Sequence, residues 1–577
     1  MTAVQTRPAE PELDLTPWQC PSCGYANEGI RGFCAGCRRQ RPAPEPQPAV
    51  RQSTAPQPQK PATRPLRARP LRAQPVSPPP PPRRTSTSGL SSASTFGPRE
   101  IIATVLIAVV FVGGLLTAIV RTTEHTSSLA NKAAPAASGA TSATKWDPRV
   151  LDIVQFVERR RGLQFKHPVP MAFLDDAAFN KEVTSGGSSS SGQQAELDNE
   201  LGTLRAVGLV EGSPNLQAAE DKLASNSILG LYSPDAKKLF VRGTNLTPDV
   251  RVVLAHELTH ALQDQYFGLS QLNGDSGADT AFRALAEADA MRVEDSYVDS
   301  LSSADAKAYE AAHAKEEQQA DVPDVPEAIS DDLAFPYVFG PAFVAALEDQ
   351  GGNDAVDAAF RKPPQSEAQI VDPQSYLAGV KVTKVAAPEL KAGQKRIDKP
   401  HDVGQVSMLE VLGSRLPYDQ AWGAVKNWTG DQGLTYRENG KVCFASDTAL
   451  KDPASGDAFE AAGRAWAATM PAASVARVNP TLVEFRSCDP GAAYTHAMPQ
   501  PSAFKTLSLR SELIAELHKA GLKYSVSTCA TDQVISQVGA AKLLDLDNVT
   551  DDNDPRVAQV QRITRQAVTT CQRSTTT

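Results

Sequence analysis

Val252-Val253-Leu254-Ala255-His256-Glu257-Leu258-Thr259-His260-Ala261-Leu262 is the stretch on which the reading of this chain turns. Residues four apart share one face of an α-helix. His256 and His260 can therefore grip one Zn²⁺ from a single helix, and Glu257 can reach a water at the metal. The flanking residues are apolar, and Glu257 is the one charge within the run. Thr247-Pro248-Asp249 supplies a helix start: an N-cap residue, a proline at the first helical position and an acid in the first turn. Histidine is scarce, with 8 in the whole chain, so two in this run argue against incidental core residues.

A hydrolytic zinc site needs a third protein ligand and one open position. Downstream, the turn-rich Asn273-Gly274-Asp275-Ser276-Gly277 leads into a second helical pattern, Ala281 to Glu294. A helix, a loop and a returning helix can bring a carboxylate back to the two imidazoles. Glu287, flanked by small alanines, is the expected ligand. Glu294, seven residues on and on the same face, is the alternative. Before the histidine helix, Ile228–Tyr232, Ser233–Ala236 and Lys237–Val241 read as strand, turn, strand.

These residues resemble the metal helix of thermolysin-like gluzincins. That resemblance implies a glutamate ligand on the next helix, an edge strand beside the zinc for extended substrate, and an aspartate four residues after the glutamate to orient a histidine. Met291 stands at that last place, and Asp289 is the expected substitute. The chain is also similar, over about residues 150–490, to poorly characterised bacterial metallopeptidase-like proteins. They carry His256-Glu-Leu-Thr-His-Ala-Leu-Gln-Asp-Gln265, the element Glu287-Ala-Asp-Ala290, Phe335-Pro-Tyr337 with Gly340, Pro363–Ile370 and Asp372-Pro-Gln-Ser-Tyr376. The resemblance implies a gluzincin-like α+β domain. Glu257 would be the general base, and Tyr337, in a Phe-Pro-Tyr corner, would steady the oxyanion.

Charge is unevenly spread. Residues 1–121 hold fifteen Lys and Arg against six Asp and Glu, whereas the whole chain carries a net charge of −8. Ile101 to Val120 is an uncharged run bracketed by Arg99 and Arg121. Twenty residues at about 1.5 Å each span the hydrocarbon layer, so a single membrane helix is expected at 99–121. Nine basic residues and no acid from Arg51 to Arg99 favour an inside N-terminus.

Trp18-Gln-Cys20-Pro-Ser-Cys23-Gly-Tyr-Ala-Asn27 and Phe33-Cys34-Ala-Gly-Cys37 give four thiolates for a closed, structural Zn²⁺. The spacing resembles the Ran-binding-protein type zinc finger. Gly24-Tyr25 and Glu28 depart from the ubiquitin- and RNA-binding positions of that group. Nucleic acid is therefore not the expected partner, and a cytoplasmic protein partner remains open. Cys443, Cys488, Cys529 and Cys571 form a separate even set, expected to pair as nearest neighbours in an oxidising compartment.

The expected organisation is α+β: a zinc ribbon at 1–45, a Pro-rich linker at 46–98, the membrane helix at 99–121, a tether at 122–145, a metallopeptidase-like domain at 146–490 and a helical region at 500–577. Within it, Val406–Leu412 and Ala458–Met470 read as helices, and Gly433–Tyr436, Lys441–Phe444 and Leu482–Arg486 as strands. The expected function is a membrane-anchored zinc peptidase acting on peptide or protein substrates outside the cytoplasmic membrane. The rival expectation is a non-catalytic membrane scaffold or surface-binding protein with an inactive peptidase fold.

Overall fold

The computed structural model describes residues 18–19, 26–27, 145–183, 191–219, 229–269, 277–317, 325–548 and 554–575. The chain separates into two compact units: Thr16–Phe96, and Met1–Leu15 together with Gly97–Thr577. In the first, Trp18–Gln19 pairs antiparallel with Ala26–Asn27. The ribbon cysteines Cys20, Cys23, Cys34 and Cys37 lie outside the described residues, as do the boundaries expected at 45, 98 and 121.

The second unit is mixed α+β. Its site-bearing half is built around the histidine helix, Pro248–Phe267, which begins at N-cap Thr247 with Pro248 in its first turn and ends at Gly268 (φ 76°). Its start was legible from the residues that make it. The helix is buried around most of its circumference, as expected of one enclosed by other elements. One side packs on the helix Leu151–Arg161 through Ile153, Val154 and Val157. Another packs on a three-stranded sheet with Lys238–Arg242 at its centre. There Met171–Leu174 runs parallel to the central strand and Gly230–Ser233 antiparallel to it. The expected hairpin before the histidine helix is thus present, with Lys237 (φ 50°) in its turn.

The return helix, Gly277–Ser300, packs on both the histidine helix and the long helix Glu327–Arg361. The long helix holds Phe335, Pro336 and Tyr337, so this segment is helical rather than the expected corner; non-helical backbone comes only later, at Gly351 and Gly352. Its approach to the return helix depends on Gly340. A Cβ there would lie 2.4 Å from the Ala284 carbonyl oxygen and 2.8 Å from the Ala288 Cβ.

Beyond this half lies a five-stranded antiparallel sheet. Its order is Lys395–Arg396, Trp428–Glu438, Lys441–Leu450, Leu482–Cys488, Ala473–Asn479. The helices Gln405–Gly413 and Pro453–Ala467 share a core with it through Leu412, Trp466 and Phe485. Cys443 and Cys488 face each other on neighbouring strands and form one disulfide. Cys529 and Cys571 form the other, tying Tyr524–Val538 to Pro555–Thr575. Both pairs are the nearest-neighbour ones.

The expectation of a membrane span is corrected. Among the described residues no helix is long and apolar enough to cross a membrane. The longer ones carry charges that hydrocarbon would not accept, such as Asp249, Arg251, Glu257 and Asp264 on the histidine helix. The run Ile101–Val120 lies outside the described residues. Membrane anchoring, a membrane partner, and a single-pass topology with its inside N-terminus and outside catalytic domain are withdrawn. The rival membrane scaffold is withdrawn with them.

Candidate metal centre

The histidine helix presents His256 and His260 on one face, and the return helix brings Glu287 against them. The three side chains are buried, and their ligand atoms form a small triangle. His256 Nε2 and His260 Nε2 are 3.0 Å apart, and each is 3.2 Å from Glu287 Oε2. Tetrahedral zinc with bonds of about 2.0–2.1 Å sets neighbouring donors about 3.3 Å apart. The triangle therefore has the size of three corners of a zinc tetrahedron.

The surroundings settle which ring nitrogens carry lone pairs. Gln263, one turn after His260, directs its amide Nε2 at Ala286 O (3.0 Å) and Asp289 Oδ2 (2.8 Å). Both are acceptors, so Nε2 is fixed as the donor end and Oε1 faces His260 Nδ1 at 3.0 Å. His260 Nδ1 therefore carries the hydrogen and Nε2 the lone pair. His256 Nδ1 lies 2.9 Å from Glu294 Oε2, which imposes the same tautomer. Two imidazole lone pairs and a carboxylate oxygen thus converge with no hydrogen among them. Such an arrangement is repulsive unless a cation or added protons occupy it.

Protonation relieves the repulsion in the metal-free state. Burial opposes charging His256, but Glu287 and Glu294 outweigh it and hold its pKa well above the usual imidazole range. His260 is raised too: burial opposes charge, and the Glu287 carboxylate prevails. Burial would raise Glu287, but the two imidazoles drive it far below the ordinary carboxylate range.

Asp289 anchors the outer layer. Burial disfavours its charge, yet Arg161 and Arg292 lower its pKa. Arg292 Nε donates to Asp289 Oδ1 at 2.8 Å. Arg161 Nε sits 2.9 Å from Asp289 Oδ2 as an ion pair without hydrogen-bond alignment, and its Nη2 donates to Asp357. The sequence-based expectation is refined accordingly. Asp289 does orient a histidine, through Gln263. Glu294, the alternative ligand, instead bonds the far nitrogen of His256.

Glu257 is buried, with Oε2 accepting the Tyr232 amide at 2.7 Å. Burial raises its pKa against the pull of His260, His256 and that amide. Gly230 makes room: a Cβ there would lie 3.0 Å from Val253 Cγ1 and 3.6 Å from Glu257 Cγ. Asp264 ties strand to helix, accepting from Tyr232 Oη at 2.6 Å and pairing with Lys237. Tyr337 is buried on the long helix. Its enclosed hydroxyl lies at the Glu287 carboxylate, whose Oε1 is enclosed as well. Burial first, then the Glu287 charge, raises the Tyr337 pKa.

A second grouping, Glu438 with Cys443 and Cys488, is not a metal site, because its sulfurs are joined in a disulfide. Gln263, Arg161 and Arg283 were not singled out by the sequence. Only Arg283 carries a visible signal, as a lone cation in the otherwise apolar Ala281–Ala286. No family model, no curated protein and no solved structure matches this chain.

Proposed function

We propose that this chain is a zinc-dependent peptidase whose metal is held by His256, His260 and Glu287. The observation that carries the reading is the triangle of three ligand atoms, sized for tetrahedral zinc, with the Nδ1 of each histidine bonded from behind. When bound, the ion supplies a Lewis acid that activates water and polarises a carbonyl.

The chain's own residues do the rest. Glu257 is braced at Oε2 by the Tyr232 amide, leaving Oε1 to take a proton from the attacking water and hand it to the departing amine. Tyr337, whose hydroxyl lies at the Glu287 carboxylate, donates toward the developing oxyanion. Glu294 and Gln263 keep the two histidine lone pairs aimed inward. Burial of the centre excludes bulk water and strengthens each interaction.

The test is metal content and cleavage by the parent and by Glu257→Gln. The variant keeps three ligands but cannot accept the proton. It should hold one equivalent of zinc at this centre and lose about 10²–10⁴ in rate. Cleavage at the parental rate would show that the motif holds metal for structure only.

A further inference from the structure

Five arginines are buried among the described residues: Arg161, Arg283, Arg292, Arg415 and Arg486. Four have partners. Arg161 pairs with Asp289 and Asp357, and Arg292 with Asp289 and Glu348. Arg415 donates to Gly208 O and Ser414 O, and Arg486 to Glu389 O and Glu484. Arg283 has none. It is 6% exposed, its Nε is enclosed without a hydrogen-bond partner, and no carboxylate or carbonyl among the described residues bonds its guanidinium. A buried cation without a counter-charge is costly and is ordinarily paired or neutralised. Arginine cannot shed its proton.

Its place gives the reason. Arg283 lies one helical turn before Glu287 on the return helix, hence on the same face as a residue of the metal triangle. Its positive charge also acts on the Tyr337 hydroxyl, which lies at the Glu287 carboxylate. The Arg283 guanidinium, without an acceptor among the described residues, is a free donor on the face that carries Glu287. A planar carboxylate matches the guanidinium fork.

Resting on the zinc-peptidase reading, we propose that Arg283 receives the C-terminal carboxylate of the substrate, so that the enzyme removes one or two residues from the carboxyl end of peptides. The dimensions agree. Side chains four apart on a helix are about 6 Å apart at Cβ, and each residue beyond the scissile bond adds at most about 3.8 Å of chain. A terminal carboxylate at Arg283 therefore belongs to the first or second residue after the cut. Internal segments of a protein offer such an anion only where an Asp or Glu side chain falls at that position, whereas every free C-terminus offers one.

The test uses the zinc-loaded full chain and N-acetylated hexapeptides, each with a free C-terminus or as its amide. Cleavage is followed by mass spectrometry, and zinc content by elemental analysis. Binding of an N-acetylated dipeptide acid and its amide is measured by calorimetry on Glu257→Gln, where turnover is suppressed. The acid should be cut near its C-terminus, and acid should be preferred to amide by about tenfold to a hundredfold, as for a charge-assisted hydrogen bond. Arg283→Met should erase the preference with zinc content unchanged, and Arg283→Lys should keep part of it. Equal treatment of acid and amide by the parent overturns the proposal, and so does a preference that survives in Arg283→Met. If neither variant folds, the comparison on the parental chain decides alone. A protein that loads zinc and cuts without regard to the C-terminus refutes the Arg283 assignment and leaves the metal reading intact. A protein that takes up no zinc at the histidines yet prefers the acid does the reverse.

Discussion

Replacing Gln263 by leucine tests the tautomer argument at its weakest point. Gln263 is not one of the three ligands; it reaches the metal triangle by accepting from His260 Nδ1 at 3.0 Å, while its amide donates to Ala286 O and Asp289. Leucine keeps the volume and removes that acceptor. The buried His260 N–H then lacks a partner, which costs about 1–3 kcal/mol. Asp289 loses the Gln263 amide but keeps Arg161 and Arg292, so no buried charge is stranded. The imidazole can now turn its hydrogen to Nε2, the atom needed by the metal. Losing an orienting hydrogen bond of this kind lowers metal affinity about 10–100-fold, or about 1.4–2.8 kcal/mol. Competition against a calibrated chelator measures that affinity, and urea unfolding of the metal-free protein measures the stability cost. Gln265→Leu is the control. Its side chain accepts from the Lys166 amide on the outer face of the same helix, so it should lose stability without losing zinc. A folded Gln263→Leu variant that binds zinc within about twofold of the parent would show that Gln263 does not hold the His260 tautomer.

Other outcomes follow from the packing. Gly340→Ala pushes a methyl into the Ala284 carbonyl and the Ala288 side chain, so it should cost about 1–3 kcal/mol; because the displaced helix carries Glu287, zinc affinity should fall as well. Burial pushes the Glu367 carboxyl up to about 8. Its neutral form therefore favours folding: that contribution is complete below about 4.5, is lost as pH rises to about 8, and amounts to at most about 4–5 kcal/mol. Urea unfolding at pH 5 and 8.5 should show this fall, and Glu367→Gln should flatten it; an unchanged slope in the variant would exclude Glu367 as the cause. The Cys443–Cys488 bridge closes a separation of 45 residues, so replacing both by alanine should cost about 4 kcal/mol on the chain-entropy account, read as a shift in the urea midpoint. All four distal cysteines should resist alkylation of the native protein until a reductant is added.

The features readable from neighbouring residues alone are local. His256 and His260 share a face because four residues make just over one helical turn. Pro248 marks the start of that helix through a backbone constraint that it carries alone. The strand–turn–strand before it, the helix at Gln405–Gly413 and the strand at Leu482–Cys488 were legible from periodicity for the same reason. Phe335-Pro-Tyr337 misled because a proline commonly breaks a helix, whereas here packing on the return helix holds the segment helical.

The tertiary structure decided which carboxylate closes the triangle. Glu287 and Glu294 lie seven residues apart on one face, so their spacing could not separate ligand from orienting partner; the crossing of the two helices did. It also joined Arg161 to Asp357 across 196 residues of sequence, set Asp289 to act through Gln263, and left Arg283 without a partner among the described residues. Helix periodicity is written in neighbouring residues, whereas the tautomer of a histidine and the pairing of a buried cation depend on groups that only packing brings together.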